Sequence, residues 1–363
     1  MKFLNLVTKK SAFPMLFIGV AVAGCLSIAP NQRSESADTL YLSAMPLGIN
    51  PGLPEPWDNH LTAEKTDLGE RLFFDTRLSR DGTVSCSTCH LPEKAFSDGQ
   101  AIALGIDDRL GRRNAPTLLN RAYMRSQFWD GRAASLEEQA LMPMINPSEL
   151  DNTHEEIVRR LELDEEYGRL FEAAFGSEEI VIEHVARAIA SFERTLLSGN
   201  SAFDRYEILG ETRALSESAR RGLELFRGQA RCHLCHERSL FSDGLFHNTG
   251  VSWGELPIDL GRYEVTEEKY DQAAFRTPSL RDVEHTAPYM HDGSIETLED
   301  VLEFYSKGGN PNPYLDLAIK PLDLSDREMA DLVEFLKSLS GSNWQTDIGL
   351  GTGGGRTSAN TGG

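Results

Sequence analysis

The chain is short of cysteine, short of basic charge, and without a long apolar run beyond its first residues. Its five cysteines are Cys25, Cys86, Cys89, Cys232 and Cys235. Four fall in two Cys-x-x-Cys pairs and the fifth closes an N-terminal apolar stretch, so none is left for a disulfide framework. Lysine and arginine number 36 against 56 acidic residues, a formal charge of −20. That balance disfavours nucleic acid and anionic membrane surfaces as partners, because both repel an acidic surface. It suits a basic protein partner or a small neutral substrate, and equally plain solubility. The apolar stretch "SAFPMLFIGVAVAGC" runs to roughly 15 residues, short of the about 20 that a spanning helix needs. No alternating strand pattern of any length occurs, which turns the reading towards helix.

What is present begins with "MKFLNLVTKK", where Lys2, Lys9 and Lys10 precede the apolar stretch and small residues end it. This is the layout of a secretory signal over residues 1–24. Cys25 follows "VAG" as in a lipobox, so lipidation at Cys25 is expected, with residues 25–45 as a tether for a periplasm-facing protein. An ordinary cleavage site and an uncleaved anchor are the alternatives. Residues 342–363, ending "GTGGGRTSANTGG", read as a flexible tail. In between, Val181, Val185, Ile189, Phe192 and Leu196 recur at helical spacing. Thr153 opens one further helix. Ser325 and Glu328 form a capping box for another, with Gly341 as its expected stop.

One pattern occurs twice. "GERLF" at 69–73 precedes "CSTCH" and "FSDG", and "GLELF" at 222–226 precedes "CHLCH" and a second "FSDG". Two related units follow, 46–200 and 201–341, meeting near residues 197–216. Cys-x-x-Cys-His attaches c-type haem: the thiols add to the vinyl groups and the adjacent histidine ligates iron. A four-cysteine zinc site would need both pairs together and no histidine after each; a thioredoxin-like pair would need a strand–helix unit. Two covalently held haems are therefore expected, on Cys86, Cys89 and His90 and on Cys232, Cys235 and His236. The loop "QAIALGIDDRLGRRNAPT" offers no His, Met, Cys or Tyr to close the first iron. For the second, Met290, His291, Tyr305 and Met329 are all candidates. His60, His154 and His184 read as surface or core, and His233 and His247 receive no role.

"SCSTCH", "FWDGRA", "FHNTGV" and "TAPYMHDGSIETLEDVLEFYSKGG", in this order and spacing, resemble the bacterial di-haem cytochrome c peroxidase superfamily, more narrowly its MauG-like branch. The similarity runs from about Asn59 to about Leu339. It implies a mainly α fold of two cytochrome c-like domains, an N-terminal haem that reacts with peroxide and a C-terminal haem that transfers electrons. Trp129 matches the tryptophan between them. Gln139, Pro143 and Glu149 match the distal pocket, with Glu149 as acid–base residue. Ile106 stands where many relatives carry a capping histidine, which implies a first haem open at rest. Tyr305, fourteen positions after His291, stands where they place a methionine ligand; a phenolate favours higher oxidation states. A structural calcium is implied at Asn114, Thr286 and Pro288, the last two through their carbonyls, while His291 is expected near the haem propionates.

The resemblance implies an enzyme in which peroxide oxidises the haem pair together and the oxidising equivalents, shared across Trp129, act on a partner protein. One rival is a cytochrome c peroxidase taking electrons from a small cytochrome. A second is a di-haem electron carrier with no enzymatic step.

Overall fold

Apolar residues at helical spacing and side-chain caps at helix starts account for most of the architecture. The computed structural model describes residues 45–50, 52–342 and 344. The expected signal segment, Cys25 and the Gly-rich end lie outside them. In chain order the helices are α1 (Ala63–Phe73), α2 (Cys86–Cys89), α3 (Leu136–Ile145), α4 (His154–Glu162), α5 (Glu165–Phe175), α6 (Ile182–Thr195), α7 (Ala202–Leu209), α8 (Glu217–Arg227), α9 (Tyr263–Thr266), α10 (Leu298–Ser306) and α11 (Asp326–Lys337). Among the described residues the strands are β1 (Phe246–His247) and β2 (Phe275–Arg276), antiparallel with Phe246 opposite Arg276. The fold is mainly α, with long loops, and no helix among the described residues is long and apolar enough to cross a membrane.

The helix signals act through hydrogen bonds. Thr153 accepts from the Glu156 N–H to start α4, and Ser325 and Glu328 cap each other's backbone at the start of α11. The apolar face read from Val185, Ile189 and Phe192 is the buried face of α6, with Val181 and Leu196 as its flanking caps. The expected stop at Gly341 is corrected: α11 ends at Lys337, and its cap Ser338 returns its N–H to the Glu334 carbonyl. Gly341 serves elsewhere, donating its N–H to Asp282 Oδ1 at 2.8 Å.

The repeat in the sequence is also a repeat in packing. Helix α1 packs on α6, and α8 packs on α11. A Cβ on Gly69 would overlap the Ala188 carbonyl, and one on Gly222 the Asp331 carbonyl. Each crossing is therefore close enough to require glycine, which explains the first letter of both "GERLF" and "GLELF". Around the first crossing Leu68, Leu72, Tyr167, Phe171, Val185 and Ile189 form one core. Around the second, Leu223, Phe226, Phe241, Leu332 and Phe335 form another. Each such side chain contributes on the order of 1.5–3 kcal/mol on burial, enough to hold the loops that carry the two motifs.

Candidate functional site

The two Cys-x-x-Cys-His loops are built alike. The His90 N–H donates to the Cys86 carbonyl (3.1 Å) and the His236 N–H to the Cys232 carbonyl (2.9 Å), so each motif closes a turn. The following "FSDG" then reverses the chain. Phe96 (φ 57°) and Phe241 (φ 53°) are held in the left-handed region, a conformation that costs a non-glycine residue about 1–3 kcal/mol. Both are buried in aromatic clusters. The strain delivers a carbonyl: Phe96 O lies 2.9 Å from His90 Nδ1, and Phe241 O lies 2.8 Å from His236 Nδ1. A carbonyl only accepts, so each Nδ1 carries the proton and each Nε2 keeps a free lone pair. Burial pushes His90 down to about 4 and lowers His236 as well, which keeps both rings neutral. The same effect pushes the Cys89 and Cys232 thiols up to about 12 and raises Cys86 further.

Each motif lines its own cavity. Cys86, Cys89 and His90 line a first cavity of about 500 Å³; Cys232, Cys235 and His236 line a second of about 250 Å³. None of these four cysteines is engaged in a disulfide. Among the described residues the group that could hold a metal ion is Cys235 with Asp243 and His247, which draws on one cysteine, so the two pairs do not form a four-cysteine zinc site. Two thiols and an imidazole with an available Nε2, on the wall of a largely apolar cavity, fit a covalently attached haem in each case.

The first cavity carries the expected distal residues. Helix α3 places Gln139 and Pro143 four residues apart on one face, and the turn after it places Glu149; all three line the cavity. The side-chain oxygen Oε1 of Gln139 is buried without a hydrogen-bond partner. Burial raises the Glu149 carboxyl above its ordinary range, opposed by Arg132 and by Asn146, whose amide donates to Oε1 at 2.6 Å. Apart from His90, no histidine, methionine or tyrosine among the described residues lines this cavity. Ile106, which stands where many relatives carry a capping histidine, brings no ligand to this cavity. Its side chain is wholly buried away from the cavity, and its N–H donates to the Glu149 carbonyl at 2.9 Å. Gly105 and Leu110 of the same loop face the cavity instead.

The second cavity is lined by Tyr305, Met290, His291, His247 and Thr249. Helix α10 carries Tyr305, whose phenol is pushed up to about 12 by burial while a hydrogen bond with Thr249 opposes the rise. Met329, a sequence candidate for this iron, packs against the second core and does not line the cavity. His291 stacks on Phe275 with ring centroids 3.6 Å apart.

One wall is common to both. Trp129, Asn114, Ala115 and Pro116 line the two cavities together. The Trp129 indole N–H donates to the Asn114 carbonyl (2.9 Å), and the Arg276 N–H donates to the Trp129 carbonyl (2.8 Å). The Asn114 N–H reaches the His291 carbonyl (2.8 Å). The Asn114 amide donates to the Gln100 carbonyl (2.8 Å) and to the Pro288 carbonyl (3.4 Å), and Thr286 and Pro288 line the second cavity beside it.

Sequence reasoning passed over three residues here and gave a fourth, His247, no role. Arg121 and Glu193 line the first cavity, each nearly fully buried. Burial pushes the Glu193 carboxyl up to about 7 against the pull of Arg121 and Arg194. His247 is gripped by two carboxylates, Asp243 at 2.9 Å and Asp316 at 2.6 Å. Arg276 lines the second cavity. Arg121, Glu193 and Arg276 belong to no local motif whose spacing announces a role, and His247 lies in "FHNTGV" without that motif naming a task for it. Of the remaining histidines, His60 is exposed beside Glu55, His154 meets the Leu141 carbonyl at 3.1 Å, and His184 stacks on Phe175; His233 Nδ1 lies 3.3 Å from the Phe226 carbonyl.

Comparison with known proteins agrees with this geometry. A family model described as di-haem cytochrome c peroxidase matches residues 63–213. The methylamine utilization protein MauG of Methylorubrum extorquens is 46% identical over 325 residues, covering 88% of this chain and 90% of that protein. Cytochrome c551 peroxidase of Nitrosomonas europaea is 35% identical over 281 residues, covering 77% of this chain and 80% of that one. A crystal structure of a MauG-like protein associated with microbial copper homeostasis superposes with a TM-score of 0.77 at 36% identity, covering 84% of this chain and 97% of that one.

Proposed function

Because this chain belongs to the di-haem cytochrome c peroxidase family, a family of peroxide-dependent oxidoreductases with two c-type haems, we propose that it uses hydrogen peroxide to oxidise a partner protein in the MauG-like manner. The observation that carries this reading is the difference between the two cavities. Among the described residues the first offers no second histidine, methionine or tyrosine to an iron held by His90, whereas the second sets Tyr305 in the cavity of His236.

When bound, the haems supply the irons that cleave peroxide and the store for its two oxidising equivalents. The chain supplies the rest. Cys86, Cys89 and His90 hold one haem, and Cys232, Cys235, His236 and Tyr305 the other. Gln139 Oε1, buried and unpartnered, accepts a hydrogen bond from the peroxide O–H and orients it. Glu149 takes the proton from the inner oxygen and returns it to the outer one, so that water can leave. Its raised pKa suits a group that must both hold and release a proton near neutral pH. Trp129, fixed from both sides by backbone hydrogen bonds, is the path between the cavities.

A calcium ion belongs to the same proposal. With the Asn114 amide turned over, its oxygen and the Thr286 and Pro288 carbonyls offer an all-oxygen set for a hard cation. Lipidation at Cys25 and a periplasmic location complete the reading. They rest on the residues around Cys25 alone.

The peroxidase relatives favour a second reading, removal of peroxide with electrons from a small cytochrome c. Electron paramagnetic resonance of the resting ferric protein separates the two. One high-spin and one low-spin haem, both signals lost on one equivalent of peroxide, is the expected result. Two low-spin haems that ignore peroxide until one is reduced would return the chain to the cytochrome-driven peroxidases. Rapid turnover with reduced cytochrome c and no pre-reduction would also defeat the partner-oxidation reading.

A further inference from the structure

Among the largest fully buried side chains are two arginines, Arg276 and Arg281. Arg281 is satisfied, with both Nη atoms donating to Asp204 at 2.9 Å. Arg276 is not. It is 2% exposed; its backbone N–H donates to the Trp129 carbonyl (2.8 Å) and its Nε–H to the Phe128 carbonyl (3.2 Å). Its Nη1 is buried with no partner. The acidic residue acting on its charge is Asp130, which is already held by Arg113 and Arg132. The other charge acting on it is Arg121, of the same sign.

A guanidinium stays protonated in proteins, and a buried cation without a counter-charge is strongly unfavourable. Whatever fills the cavity must therefore bring an anion to Arg276. The side chain lines the second cavity together with Trp129. A haem in that cavity carries two propionate carboxylates, and a carboxylate can take two parallel N–H bonds from one guanidinium. We propose that Arg276 binds a propionate carboxylate of the second-cavity haem and ties that haem to the Trp129 segment. The inference rests on the di-haem reading above.

Arg276 is then a positioning residue: its side chain would hold the haem edge and the Phe128 carbonyl, while its own backbone N–H holds the carbonyl of Trp129. Its positive charge also favours the reduced iron over the ferric one and so raises the reduction potential of the second haem. Redox titration of the holoprotein, each haem followed by its own spectrum, tests this with Arg276→Gln and Arg276→Lys. The glutamine variant should lower the midpoint potential of the second haem and leave the first nearly unchanged, and lysine should restore most of the shift. Equal potentials for the second haem in the glutamine variant and the unmodified chain would overturn the proposal. Should the glutamine variant fail to accumulate, resonance Raman of the unmodified holoprotein decides. Propionate-bending modes of a strongly hydrogen-bonded carboxylate at the second haem are expected, and those of a freely solvated one would overturn it. A pyridine haemochrome count below two in the unmodified chain would instead defeat the di-haem reading itself.

Discussion

The two halves attach their haems with the same parts and surround them differently. In each, a glycine-bearing helix crosses a partner helix, a Cys-x-x-Cys-His turn follows, and a buried phenylalanine in a left-handed conformation presents its carbonyl to the histidine. The walls facing those histidines have little in common. The first has Gln139, Pro143 and Glu149; the second has Tyr305, Met290 and His291. The repeated segment thus settles how a haem is held, and segments outside the repeat settle what it can do.

The sharpest break in this comparison comes from the first wall. Glu149→Gln keeps the shape of the side chain and removes its ionisable proton. The rate of the peroxide reaction should fall by about 10²–10⁴-fold, read by stopped-flow absorbance, with haem content unchanged; a rate within twofold of the unmodified chain would remove Glu149 from the chemistry. Tyr305→Phe should make the second haem resemble the first, converting its low-spin signal to high-spin. An unchanged spectrum would mean that another residue, with Met290 and His291 nearest to hand, ligates that iron.

The shared skeleton makes a matched prediction. Gly69→Ala and Gly222→Ala each force a methyl against a backbone carbonyl, an overpacking that costs about 1–3 kcal/mol. Both should lower the thermal midpoint by similar amounts, and a clear inequality would show that the crossings are less alike than they look. The smallest effect is a pH dependence peculiar to the first half. Burial raises the Glu193 carboxyl from 4.5 to about 7. A raised acid contributes stability that is complete below the unfolded value and lost as pH climbs through the folded one. Glu193→Gln has nothing to lose, so its stability relative to the unmodified chain should improve between about pH 4.5 and 7, followed by urea unfolding.

Much of this was legible in the sequence, for reasons that differ by residue. Helix α6 announced itself through Val185, Ile189 and Phe192, and α4 and α11 through Thr153 and through Ser325 with Glu328, because periodicity and capping are local properties. The attachment residues were legible because Cys-x-x-Cys-His is compact and fixed in spacing. Trp129, Gln139 and Glu149 stood out only through the family resemblance, since nothing within a few residues of them marks a cavity. That Ile106 itself turns away from the cavity was illegible for the same reason: which residues of a loop face inward is decided by its partner, here the Glu149 segment. Arg276 and Glu193 were illegible because their significance is the absence of a partner, and sequence does not reveal what a side chain fails to meet.

Phe96 and Phe241 each fill an aromatic cluster and, through the same residue's carbonyl, aim a histidine. Loosening of either cluster and release of the corresponding imidazole are therefore one event. The colour of each haem becomes a thermometer for its own half. Heating or denaturant should bleach the two ligand-field spectra at separate points if the halves melt separately, and together if the tryptophan wall binds them into one melting unit.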